Sequence, residues 1–321
     1  MSRSKALLTI GLPVYNGELF LREALDSIIT QSFREFIVIV SDNFSIDSTA
    51  KIVDDYMQRD SRIRYMRQEK NLGAVENFLT VASNICTPYF MWFACDDVMA
   101  PGFLQSCIGA LETNPKYSMA FTGLCNIDSL GRNIREYPHM ASFSGVTNWR
   151  SIARFLLSPE VFGKANLIYS VYRTPVLRRT LSRVGLPTSW GGDMGFVLAA
   201  LIQGGVAIFP EVLFRKRWVR EGDSGEVPLP VHIDQNVLHQ SCPLEHYQEY
   251  EKTTIEAAVG SRFAFLTAFL MKFRHKRLIR MKHAVQENLP EKSCWTERKE
   301  WVADAFQCGL EALRTVRGLS R

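Results

Sequence analysis

Two carboxylates stand side by side where an apolar run ends: Asp96 and Asp97, in the stretch PYFMWFACDDVMAP. Adjacent like charges are costly in a core and tolerable at a solvent-filled cleft or around a cation. Mg²⁺ or Mn²⁺ takes hard oxygen ligands, commonly one or two carboxylates, with phosphates and water completing the shell. The pair offers those ligands. The competing reading is a polar loop capping the helix that begins near Pro101. Another acid, Asp193, follows two glycines in WGGDMGF and precedes an apolar stretch. It suits a helix cap and equally a base that faces a cleft.

The elements that must position these acids alternate along the first third of the chain. Strand signals at 7–12, 36–41, 63–67 and 89–94 are separated by helix signals at 19–30, 48–59 and 74–83. Near-continuous Val, Ile and Phe runs between helices imply a parallel sheet buried on both sides. Such sheets bind ligands beyond the carboxyl ends of their strands. Just past three of those ends lie Pro13-Val14-Tyr15-Asn16, Asp42-Asn43 and Asp96-Asp97. One rim would carry an aromatic ring, a carboxylate and the carboxylate pair, a set that fits a nucleotide with a divalent cation. A half-buried core tyrosine and a turn-forming Asp-Asn are the plainer readings of Tyr15 and Asp42.

Farther along, helices are expected at 101–114, 148–157, from 175 onward and at 192–205, with strands at 119–127, 167–172 and 206–210. Residues 220–243, rich in Gly, Pro and acidic residues, read as a linker or flap. From about 243 the pattern is helical.

In this order the segments GLPVYNGELFLREALDSIITQSF, FIVIVSDNFSIDST, NLGAVENFLTVAS, YFMWFACDDVMAPGFL and WGGDMGFVLAALIQGGVAIFPEVLFRKRW resemble the family 2 glycosyltransferases. The resemblance covers roughly residues 7–218. It implies a GT-A fold: an α/β, Rossmann-like, mainly parallel sheet with helices on both faces, here followed by a C-terminal helical extension. It further implies an inverting transfer from a nucleotide diphosphate sugar to an acceptor hydroxyl, aided by a divalent cation. Asp96 and Asp97 then match the DxD-like metal motif, in the form ACDD with Ala94 in place of the first acid of DxDD. Asp96 shares the donor contact with Pro13, Tyr15, Asn16, Asp42, Asn71 and Gly73. In that scheme Tyr15 stacks on the base and Asp42 accepts from a base imide, which favours UDP or dTDP donors. Glu76 stands where many relatives carry arginine. Asp193 matches the catalytic base, and Arg217 in RKRWVREGDS is the candidate to close over the pyrophosphate. Trp190 is either a sugar platform or core.

The expected organisation is a transferase domain over 1–230, with a nucleotide-binding half at 1–100 and an acceptor half at 101–230, then helices over 231–321. Acceptors of the glycan, lipid-linked or small-molecule kind are implied, and nucleic acid is not. A net charge of +5 with 46% hydrophobic residues describes an ordinary globular chain. Its seven cysteines include no CxxC and suit reduced thiols in the cytoplasm. The basic run KFRHKRLIRMKH beside FAFLTAFLM suggests either peripheral contact with an anionic membrane or packing on the catalytic domain or a second subunit. Other chemistry is disfavoured. Glycosidase carboxylates sit ångströms apart across a bond, and GLPVYNGE lacks the G-x-G-x-x-G of a dinucleotide oxidoreductase. A nucleotidyltransferase would carry a Gly-rich basic loop after the first strand. A non-catalytic nucleotide-sugar binder remains the other alternative.

Overall fold

The computed structural model describes residues 6–158, 162–186, 191–218, 244–286 and 298–319. The opening alternation is β1 (Leu8–Val14), α1 (Leu21–Ile29), β2 (Phe36–Asp42), α2 (Thr49–Arg59), β3 (Ile63–Arg67), α3 (Ala74–Ser83) and β4 (Tyr89–Trp92). Next come β5 (Val98–Met99), α4 (Phe103–Thr113), β6 (Met119–Ile127), β7 (Asn133–Glu136), β8 (Gly145–Val146) and α5 (Trp149–Leu157). They are followed by β9 (Val171–Arg173), α6 (Thr174–Val184), α7 (Gly192–Leu201) and β10 (Gly205–Arg217). The remaining described helices are α8 (Leu244–Ala258), α9 (Ala264–Gln286) and α10 (Arg298–Leu319).

All ten strands among the described residues belong to one sheet, whose main path runs β3-β2-β1-β4-β9-β6-β10-β5. Strands β3, β2, β1 and β4 are mutually parallel, as are β6 and β10, while β9 joins β4 to β6 antiparallel to each. Every residue of β1, β2 and β4 is buried, as the continuous apolar runs require. The segment 167–172, expected as one strand, instead forms a short 3-10 helix (Lys164–Tyr169) before β9.

The chain divides into two compact units that interleave in sequence. One comprises Met1–Val146, Asn166–Arg179 and Gly204–Val231 and holds the sheet; the other comprises Thr147–Ala165, Thr180–Gln203 and His232–Arg321. The expected boundary near 230 and the 220–243 linker lie outside the described residues.

In the sheet unit, an aromatic cluster of Phe93, Phe103, Phe121 and Phe214 fills the core behind β4 and β10, with centroids 5.2–5.8 Å apart. Helix α3 crosses β1 at Gly11, where a Cβ would lie 2.7 Å from Val81 Cγ2 and 2.8 Å from Phe90 Cζ.

In the other unit, α7 is apolar all round and buried except at Asp193. Much of the basic run is engaged inside this unit. Lys272 Nζ and His275 Nδ1 meet the Glu251 carboxylate at 3.1 and 2.8 Å, and Arg274 donates to Leu156 O at the end of α5. Lys276 Nζ lies 3.6 Å from Glu311 on α10. Burial by itself would raise the Glu251 pKa, but the hydrogen bonds from His275 and Lys272 outweigh it and hold the carboxyl below its ordinary value. These cations therefore tie helices of this unit together. No described helix is long and apolar enough to cross a membrane.

Gly11→Ala is expected to force α3 away from β1 at a cost of about 1–3 kcal/mol, the usual range for overpacking a filled core. The check is a lowered urea midpoint of the purified variant.

Candidate functional site

The rim begins as a stitched set of loops. Asn16, with φ 49°, donates its backbone N–H to Ser45 Oγ (2.9 Å), and its own Oδ1 accepts from Ile46 N (3.0 Å). Gly17 N donates to Thr49 Oγ1 and Glu18 N to Asp47. The β1–α1 loop is thereby fixed against the β2–α2 loop. Asn43 bridges farther: its amide donates to Asn71 Oδ1 (2.8 Å), and its Oδ1 accepts from Leu72 N (2.8 Å). Gly73, at φ 84°, opens α3 and donates its N–H to Asn71 Oδ1. Beneath them Asn77 accepts from Ser41 Oγ and donates to Ser41 O. Asn16, Asn71 and Gly73, expected to approach a donor, thus hold the loops through these bonds. Pro13 is buried within β1, and Tyr15 presents a ring that is 48% exposed.

Asp42 departs from its expected part. Its side chain is fully buried, with Oδ1 accepting from Ser45 N (2.8 Å) and Oδ2 from Tyr65 Oη (2.6 Å). Burial, and then the Asp42 contact, push the Tyr65 hydroxyl pKa well above its ordinary value. Both carboxylate oxygens thus already accept a hydrogen bond from within the protein. In this arrangement Asp42 closes the β2–α2 turn, helped by Arg67, which donates to Ser45 O and lies over the Phe44 ring.

Where β4 ends, Asp97 N bonds back to Ala94 O and turns the chain at the carboxylate pair. Arg217, the last residue of β10, clamps that turn. Its backbone N–H donates to Asp97 Oδ1 (2.9 Å) and its Nε to Asp96 O (2.9 Å). Nη1 donates to Asp128 O (2.7 Å), Nη2 to Glu23 Oε2 (2.5 Å), and the guanidinium lies 4.4 Å from the Phe20 ring centre. Arg217 is 4% exposed. Its donors are engaged by Glu23 and by carbonyls around the carboxylate turn, whereas the sequence pattern placed it over a pyrophosphate.

Asp97 is 1% exposed, and its Oδ2 has no hydrogen-bond partner among the described residues. Buried carboxylate oxygens ordinarily find a partner. An orphan beside a second acid, at a strand end, fits a hard divalent cation. Among the described residues no three His, Cys, Asp or Glu gather around a common point. Burial, then the neighbouring Asp96 charge, push the Asp97 carboxyl up to about 8. Burial also raises Asp96, against the opposing charges of Lys216 and Arg217. Cys95 is raised to about 12 by burial and then by the two acids, so its thiol stays protonated.

Lys216, beside Arg217 in the sequence, is a further cation at this turn. Its Nζ donates to Asn166 Oδ1 (3.1 Å) and lies 5.0 Å from the Tyr169 ring centre, and its charge acts on both Asp96 and Asp97. Strand alternation was the available signal: consecutive residues at a strand end face opposite ways, so Lys216 and Arg217 could not share a role. Tyr65 and Glu23 carry no such signal, because each acts on a side chain of a distant segment, a partnership no linear spacing encodes.

Asp193 lies in the other compact unit, in the first turn of α7, with its Oδ1 accepting from Met194 N (2.8 Å). Trp190 and residues 219–224 of RKRWVREGDS lie outside the described residues.

Comparison with known proteins adds a name to this geometry. Residues 9–166 match the model of Glycosyl transferase family 2. An uncharacterized glycosyltransferase of Methanocaldococcus jannaschii is 25% identical over 167 residues, 51% of this chain and 58% of that protein. Glycosyltransferase GlyA of Streptococcus pneumoniae is 33% identical over 100 residues, 31% of this chain and 14% of its own. An uncharacterized glycosyltransferase of Rickettsia felis is 29% identical over 266 residues, 81% of this chain and 41% of its own. The matched regions thus span 14% to 58% of the length of these curated relatives. Among solved structures, S. aureus TarS 1-349 in complex with UDP superposes with a TM-score of 0.62 at 15% identity, covering 97% of this chain and 83% of that one. The fold is that of the GT-A glycosyltransferases.

Replacing Arg217 with Met strips the turn of its clamp. The expected loss is about 3 kcal/mol, as when one partner of a buried charged network is removed, read as a lower denaturation midpoint. A second expectation concerns pH. Because the folded pKa of Asp97 lies above the ordinary 3.8, the folded state binds the extra proton between about 4 and about 8. Stability with chelator present should therefore fall as pH rises through that window. Asp97→Asn should flatten the fall, a difference visible in melting temperatures taken from pH 5 to 8.

Proposed function

We propose that this chain is a metal-dependent glycosyltransferase that moves a sugar from a nucleotide diphosphate sugar to an acceptor hydroxyl, with inversion at the anomeric carbon. The observation that carries the reading is the buried, unpartnered Asp97 Oδ2 beside Asp96, at the carboxyl end of a parallel strand within the family-matched segment.

Asp96 and Asp97 would hold a Mg²⁺ or Mn²⁺ ion. When bound, that ion supplies positive charge against the growing negative charge of the departing diphosphate. Tyr15, half exposed on the neighbouring loop, offers its ring to the base. TarS was solved with UDP and with UDP-GlcNAc, which supports a uridine or thymidine type of donor. Lys216, in place of Arg217, is the described cation poised to meet a phosphate oxygen. Asp193 takes the proton from the acceptor hydroxyl as that oxygen attacks the anomeric carbon. The bond from that carbon to the diphosphate breaks, and the diphosphate leaves with the electron pair. Glycans, lipid-linked sugars and small hydroxylated molecules are the acceptor classes this chemistry serves, as in polysaccharide or glycoconjugate synthesis in the cytoplasm.

The test combines binding and turnover. In a thermal-shift screen, UDP or dTDP sugars with Mn²⁺ should raise the melting temperature, adenine nucleotides should not, and EDTA should abolish the shift. Asp193→Asn should lower transfer by about 10²- to 10⁴-fold, the usual contribution of a general base, while the thermal shift persists. Donor binding without transfer or donor hydrolysis by the wild type would instead favour a non-catalytic nucleotide-sugar binder. Unaltered transfer by Asp193→Asn would remove the base assignment.

A further inference from the structure

The turn that launches Asp193 is built against a helix far along the chain. Gly191, at φ 77°, precedes α7, and a Cβ placed on it would lie 2.6 Å from Tyr250 Cδ2 and 3.0 Å from Tyr250 Cγ. One turn on, a Cβ on Gly195 would lie 3.1 Å from Thr253 Cγ2. Two glycines spaced by four thus let α8 press directly on the backbone of α7. Tyr250 is itself held. It is fully buried, with the Tyr247 ring edge-on at 5.6 Å, and Tyr247 lies 4.7 Å from the His275 ring. His275 Nδ1 is 2.8 Å from Glu251 Oε2, and Lys272 Nζ donates to Oε1 of the same carboxylate. A continuous, packed path therefore runs from a charged cluster on α8 and α9 to the backbone of Gly191, two residues before Asp193.

We propose that Tyr250 is a positioning residue for Asp193: its ring, seated on Gly191, sets the direction in which the carboxylate leaves the first turn of α7. The inference rests on Asp193 as the base. It assigns part of the reaction geometry to a helix outside the family-matched residues 9–166. The ring does this work through shape, since its atoms are those that abut Gly191.

The test measures transfer by Tyr250→Leu and Tyr250→Phe beside Asp193→Asn. Displacing a reacting group by about 1 Å costs on the order of 10²-fold. Tyr250→Leu should accordingly lower kcat about 10- to 100-fold, with the donor KM nearly unchanged. Tyr250→Phe, which keeps the ring, should recover most of the rate. Thr253→Ala serves as the control for helix packing: it should lower the melting temperature yet keep kcat. If Tyr250→Leu is less stable but turns over as fast as wild type, the role is structural alone and the inference fails. Where Tyr250→Leu does not fold, Tyr250→His keeps a smaller ring and is read by the same loss of kcat or its absence. Full activity in Asp193→Asn would instead sink the base reading, whereas an inactive Asp193→Asn beside an unimpaired Tyr250→Leu would sink only this proposal.

Discussion

The sheet unit depends on one buried guanidinium. Arg217 reaches the β1–α1 segment through Glu23 and Phe20, the carboxylate turn through Asp96 and Asp97, and the β6–β7 turn through Asp128. A planar cation with donors fanned in fixed directions can satisfy several carbonyls at once, which an ammonium on a flexible stem does less well. Its backbone N–H also occupies Asp97 Oδ1 and so orients the carboxylate, leaving Oδ2 as the oxygen without a protein donor. The clamp and the orphan are two sides of one arrangement. The hydrogen bond from the Arg217 backbone selects which oxygen of Asp97 remains available.

The rest of the rim follows a similar economy. Asn43, Asn71, Asn77 and Ser41 spend their polar atoms on one another and on backbone groups at the ends of β1, β2 and α3. Loops secured in this way can expose an aromatic ring such as Tyr15 without themselves being loose. Amide side chains are suited to the task because each both donates and accepts. The sheet supplies the approximate positions, and this network trims them.

Much of this was legible in the residues alone. Strands β2, β3 and β6 and helix α3 fall within a residue of the expected bounds because their apolar runs are clean and sharply punctuated. The short strands β5, β7 and β8 were not legible: two to four residues carry no usable period, and their pairing is dictated by β6 and β10. Strand β10 was expected to stop at Pro210 and instead continues to Arg217. A register shift against β6 absorbs the proline-bearing segment and lets the ladder resume. At the site, residue types at strand ends single out one rim, but not the partners each side chain takes there. Asp42 and Arg217 turned out to serve the scaffold, because burial and partners are set by loops distant in sequence.

Beyond Asp193, the apolar surface of α7 has an evolutionary corollary. A cylinder with no polar flank must be sheathed on every side, and its two glycines admit only a neighbour shaped to fit them. The trailing helices consequently cannot behave as an interchangeable module grafted onto a transferase core. Any lineage that exchanged them would have to rewrite α7 in the same step. Larger side chains at Gly191 or Gly195 would therefore call for smaller ones at Tyr250 or Thr253.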